Sequence, residues 1–195
     1  MGSMKRFMPV AAIVALLGSP LASSQVSQPS DAADLVRAMR ADAIMLEASR
    51  SALSGAVREG HYTAAEWQCF QQLPASAFTF DLALLLSHEL SGAEIREALA
   101  FYRSPTGVKF VDFIFGSAAA ESSPVAEPAM SPDDLEAASR FVSTHVGKKL
   151  ARDMFLIQSD ESQQIARNIV GDRLTVCALA ARSRDVDPPS RDQHG

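Results

Sequence analysis

Cysteine is scarce in this chain: Cys69 and Cys177 are the only two in 195 residues. Two thiols are too few for a disulfide-dense small scaffold or a four-thiolate zinc centre. Glycine and proline stand at ten each, well below collagen-like or low-complexity levels. Positive charge is also short. With 18 Lys and Arg against 23 Asp and Glu, the net charge is −5, which leaves no basic footprint for nucleic-acid phosphates. No apolar run reaches the roughly 20 residues that a membrane-spanning helix needs. What the chain does have is core material: 47% hydrophobic and 21% charged residues, the balance of one ordinary globular domain.

The first 24 residues have a character of their own. Lys5 and Arg6 precede an apolar run from Phe7 to Leu17, followed by Gly18, Ser19 and Pro20 and the small residues Ala22, Ser23 and Ser24. A charged start, a short apolar centre and an A-x-A-like exit make a secretory signal peptide of residues 1–24. Its removal takes two bases and no acid, so the net charge of −5 becomes −7, and it leaves no transmembrane anchor. The mature protein is therefore expected to be periplasmic or secreted. In an oxidising compartment Cys69 and Cys177 are a disulfide candidate, with two buried free thiols as the alternative.

Helical periodicity runs through the rest. Leu35, Met39, Ala43, Leu46, Leu53 and Val57 recur at helical spacing between Asp31 and Glu59, predicting one long amphipathic helix that stops at Gly60. Thr63 caps a shorter helix carrying Trp67, Cys69 and Phe70, which Pro74 ends. From Ala77 to Leu86 a strand competes with a helix, and the Leu and Ala content favours the helix. A last helix is expected from about Asp160 to Ala181, with Ile165, Ile169, Val176 and Ala180 on one side. Residues 182–195 are polar and proline-interrupted, as a disordered tail is.

Within this pattern lies a repeat. Residues Leu90–Phe115 match Met130–Phe155 at a constant offset of 40 without a gap. Ser91 pairs with Ser131, Ala98 with Ala138, Phe101 with Phe141, Ser104 with Thr144, Gly107 with Gly147, Lys109 with Lys149 and Phe115 with Phe155. Each copy reads as a helical hairpin too small to bury its own apolar face. Gly107 and Gly147, about one turn into the second helix of each copy, are expected to allow a close approach of the first helix at Phe101 or Phe141. Lys109 and Lys149 read as exposed lysines with buried stems. The fold class is all-α: a compact multi-helix bundle in which two helical-hairpin repeats pack with a long N-terminal helix. Residues 25–181 form its single domain, with 116–129 a linker between the copies.

The string FYRSPTGVK, at Phe101 to Lys109, resembles the signature of a bacterial exported family, the domain-of-unknown-function family twenty fifty-nine. There an aromatic pair is followed by Ser-Pro-x-Gly-x-Lys, matched here by Phe101, Tyr102, Ser104, Pro105, Gly107 and Lys109. The second copy departs from it, with Val142 for the second aromatic and His145 for proline. The resemblance implies an all-helical exported domain and brings no catalytic residues.

Chemistry-bearing motifs are absent from the sequence. His88-Glu89 lacks the second histidine of a zincin, because Gly92 stands in its place. Ser87 and His88 are adjacent on a helix and point to different faces. Asp133, Asp134 and Glu136 open a helix, where they complement its dipole without any metal. No cofactor is called for. The first reading of function is a non-catalytic exported module of the bacterial envelope that binds an unknown envelope protein or an apolar ligand between its helices. Phe110, Phe113, Phe115 and Phe155, with Phe78 and Phe80, are cleft candidates, although ordinary core packing is the commoner reason for such residues. The alternative is a hydrolase-like enzyme assembled from His88, His145, Glu89, Tyr102 and Arg103. Mass analysis of exported protein is expected to give a mature N-terminus near Gln25, and retention of Met1 in a membrane fraction would contradict cleavage.

Overall fold

The computed structural model describes residues 29–119, 130–152 and 155–186, and every regular element among them is helical. The signal-peptide segment lies outside these residues, as do most of the linker and the end of the tail. The chain opens with α1 (Pro29–Ala38) and α2 (Ala41–Arg58), where the sequence predicts a single helix. The break falls at Arg40, whose backbone is left-handed (φ 54°, ψ 26°). A residue with a Cβ adopts that conformation at a cost of about 1–2 kcal/mol. In return the apolar stripe is re-aimed. Leu35 and Val36 are buried before the break, and Ala41, Met45 and Leu46 after it, while Ala43 is left exposed. Each large side chain among these contributes about 1.5–3 kcal/mol on burial, which outweighs the cost of the turn.

Helix α3 (Ala64–Gln71) starts in a complete capping box, with Thr63 and Glu66 satisfying each other's backbone amides. Its last carbonyls are taken by two arginines. Arg50 donates to the Gln71 oxygen at 2.9 Å, and Arg173 to that of Cys69 at 2.7 Å. The Cys69–Cys177 disulfide, with Cα atoms 5.6 Å apart, ties α3 to the last helix. Closing a loop across 108 residues stabilises the chain by about 4–5 kcal/mol in the chain-entropy account.

Helix α4 (Ser76–Glu89) is the central element, and the helical alternative for 77–86 is the one realised. Phe78, Leu82 and Leu86 are fully buried, and the helix packs against α1, α2 and the last helix. That helix, the long one that ends the described chain, spans Asp160–Val186, so the chain stays helical past the 182 boundary expected for the tail. Its inward stripe agrees with the expected one in its first half and departs from it in the second. Ile165 and Ile169 pack against the core, joined by Ala166 and Val170, while further on Leu174 and Cys177 face the bundle and Val176 and Ala180 are exposed. The disulfide fixes this rotation, because Cys177 has to meet Cys69.

The first repeat copy forms α5 (Gly92–Tyr102) and α6 (Pro105–Ala119). The second forms α7 (Pro132–Ser143) and α8 (His145–Gly147), continues as a π-helical turn over Lys148–Arg152, and resumes as α9 (Phe155–Gln158); the 27-residue helix Asp160–Val186 is then α10. The two hairpins are therefore unequal, since the counterpart of α6 is broken. Their corners are alike. Ser104 and Thr144 each accept a hydrogen bond from the glycine amide three residues on, both at 3.0 Å. A Cβ on Gly107 would stand 2.0 Å from the Phe101 carbonyl oxygen, and one on Gly147 would stand 1.9 Å from that of Phe141. Both glycines thus have the predicted role. Gly107→Ala is expected to cost about 1–3 kcal/mol in chemical denaturation, because the obstacle is backbone. Gly55→Ala, in open space on α2, is expected to stabilise slightly; a neutral Gly107→Ala would remove the close approach.

Candidate functional site

The two hairpins meet through a reciprocal set of contacts. Phe101 stacks on its own counterpart Phe141, with ring centroids 3.9 Å apart and planes 7° from parallel. Lys109 of copy one reaches Asp134, which opens the first helix of copy two, at 2.6 Å. With the copies exchanged, Lys149 lies 3.9 Å from Glu94, and it also donates to the Glu89 carbonyl at 2.9 Å. The first helix of each copy packs on the second helix of the other. When i meets j and the equivalent of j meets the equivalent of i, the contact is two-fold in character. The repeat is thus an internal pseudo-dimer. The symmetry ends at α1, which covers α5 and buries Ile95 and Leu99. Their counterparts on α7 are Leu135, which is 49% exposed, and the polar Ser139.

A cavity of about 390 Å³ opens beside this axis. Three equivalent pairs line it: Tyr102 with Val142, Phe110 with Leu150, and Val111 with Ala151. In each pair the second copy supplies the smaller side chain. Interiors are close-packed, so a deficit repeated at three facing positions leaves room that larger residues would have filled. Leu150 and Ala151 sit on the π-helical turn, an irregularity often found at functional positions. Met39, Ala41 and Ile44 at the α1–α2 break close one wall, and Ile114, Leu156 and Ile157 complete the lining.

Among the described residues, Tyr102 is the only lining residue that carries a polar side-chain group. It is 4% exposed, and burial pushes its phenol up to about 12, so the hydroxyl is protonated throughout the physiological range. Its ring meets Phe101 and Phe141 edge-on. No described residue takes a hydrogen bond from its hydroxyl. Among the described residues, the fully buried side-chain polar atoms without a partner are Arg50 Nε and Arg173 Nε, so the Tyr102 oxygen keeps access to solvent.

The remaining signature residues are spent on architecture. Phe101 forms the stack, Ser104 caps α6, Pro105 takes its first position, Gly107 permits the corner, and Lys109 bridges the copies. Among the cleft candidates, Phe110 lines the cavity and Phe113 does not. Phe78 is buried in the core and Phe80 is 66% exposed, both away from the cavity. The side chains of Phe115 and Phe155 lie outside the described residues. Sequence reading missed Met39, Ile44 and the π-turn pair, because none of them stands out without the break at Arg40 and the departure of the second hairpin from a regular helix.

The residues gathered for an enzymatic reading are dispersed. His88 is exposed on α4, and Ser87 donates to the carbonyl of Ala83 one turn earlier. His145 lies 3.4 Å from Glu94, and Arg103 pairs with Asp34 on α1. Among the described residues, no three His, Cys, Asp or Glu side chains are placed to share a metal ion.

Residues 76–113, from α4 into α6, match the family described as uncharacterized protein conserved in bacteria (DUF2059). The match includes all of FYRSPTGVK and none of the second copy. No curated protein and no solved structure matches the chain.

Asp134 is the most strongly perturbed acid near the axis. The Lys109 ammonium and the Ser131 and Thr106 hydroxyls hold its carboxyl well below the usual carboxylate range. A carboxylate whose folded pKa lies below its unfolded value near 4 adds stability above that pH and loses it as the pH falls. Asp134→Asn is expected to be less stable than wild type at pH 7 and to lose less stability between pH 5 and pH 2. Parallel acid titrations of the two proteins would contradict this.

Proposed function

We propose that this protein is an exported, non-catalytic binding module of the bacterial envelope, and that its ligand is an apolar molecule held in the cavity between the two hairpins. The observation that carries the reading is the lining itself: eleven of its twelve described residues are aliphatic, Met or Phe, in a space of about 390 Å³. A cavity of that size falls within the range of small-molecule sites, and an apolar wall draws its ligand by releasing water. The Cys69–Cys177 bridge supports the compartment, because such bonds persist where the surroundings are oxidising. Among the described residues no single helix is long and apolar enough to cross a membrane. The enzymatic alternative has less in its favour, since its candidate side chains do not converge on the cavity.

Pyrene, a hydrocarbon fluorophore, tests the reading directly. It is expected to bind the full chain and to report an apolar environment. Val142→Phe and Ala151→Leu, which restore volume on the deficient side of the pairs, are expected to weaken binding at least about tenfold by filling the site. Absence of pyrene binding, or equal binding by folded cavity-filling variants, would reject the cavity as the site. Native mass spectrometry of protein purified from its own envelope would then give the mass of the natural ligand.

A further inference from the structure

We propose that the cavity takes a neutral, mainly hydrocarbon molecule bearing one hydrogen-bonding group, such as an alcohol, ketone or ester, and that Tyr102 reads that group. The proposal rests on the apolar-ligand reading above and narrows it to a chemical class. Two observations carry it. First, no side chain that is charged at neutral pH lines the cavity among the described residues. The described cations that flank the lining in sequence are already paired, Arg40 with Asp112 at 2.7 Å, Arg103 with Asp34, Lys109 with Asp134 at 2.6 Å and Lys149 with Glu94 at 3.9 Å, while the side chain of Arg152 lies outside the described residues. A carboxylate entering this space would give up its hydration without gaining a counter-charge. Second, the one polar group in the wall lies on one side only, because the counterpart of Tyr102 is Val142. The Tyr102 hydroxyl is without a partner among the described residues while its side chain is almost wholly buried. A phenol can donate to a carbonyl or exchange a hydrogen bond with an alcohol. A site built around a buried polar group rejects analogues that leave it unpaired, which is how one hydroxyl selects among ligands of similar shape.

The test displaces pyrene from the full chain with 1-decanol and with decanoate at pH 8, in wild type and in Tyr102→Phe. Decanol is expected to displace pyrene at a concentration at least about tenfold lower than decanoate. Tyr102→Phe is expected to weaken decanol relative to pyrene about 3–10-fold, the size of one net hydrogen bond. Equal or better displacement by decanoate would overturn the proposal, as would an unchanged decanol affinity relative to pyrene in the folded variant. Failure of pyrene itself to bind would instead overturn the apolar-ligand reading beneath it. Should Tyr102→Phe fail to fold, the ranking of the two competitors on wild type decides alone.

Discussion

The stack of Phe101 on Phe141 is the contact from which the second half of the structure follows. Two equivalent rings can face each other at 3.9 Å only if the hairpins that carry them are related by something close to a two-fold axis. Each ring ends the first helix of its copy, and at each corner a glycine lets the next helix start directly over that ring's own carbonyl. With the rings in place, the two lysines fall within reach of the opposite capping acids. The stack adds about 0.5–1.5 kcal/mol beyond the area it buries, and the ionic contacts serve chiefly to fix the register.

That geometry also explains why an apolar cavity lies beside the axis. Side chains at equivalent positions face one another across a two-fold, so their sizes add. Tyr102 with Val142, Phe110 with Leu150 and Val111 with Ala151 each combine a larger with a smaller group. In the second copy the helix that would continue the symmetry becomes a π turn at Lys148–Arg152, which moves Leu150 and Ala151 off a regular helical track. The first copy is held from outside by α1, through Arg103 with Asp34 and through buried Ile95. Among the described residues the second copy has no such cover, and its exposed face is polar at Ser139, where copy one has Leu99.

Much of this was legible in the sequence, for physical reasons that can be named. Capping residues, glycine corners and the constant offset of 40 are local signals, and they gave the hairpins. The disulfide was legible because two cysteines admit only one pairing. The break at Arg40 was not legible, since an arginine in a left-handed turn carries no compositional mark and the periodicity on either side is helical. The second half of the inward face of α10 was misjudged for a related reason, although Ile165 and Ile169 pack against the core as expected. Periodicity alone allows neighbouring stripes, and the choice was made by the distant Cys69. The cavity was the least legible feature, because it is a sum of differences between residues 40 apart, and each substitution taken alone is an ordinary apolar one.

The signature FYRSPTGVK therefore divides into two kinds of residue. Phe101, Ser104, Pro105, Gly107 and Lys109 are all accounted for by the corner and by the contact between copies, so their presence marks a fold and carries little information about a ligand. Tyr102 differs. A phenylalanine would make the same edge-on contacts with Phe101 and Phe141 and would leave no hydroxyl to satisfy. Packing explains the ring and leaves the oxygen available for the hydrogen bond proposed above. The second copy places valine at this position and keeps the corner and the stack. The architecture of the repeat thus survives without the phenol.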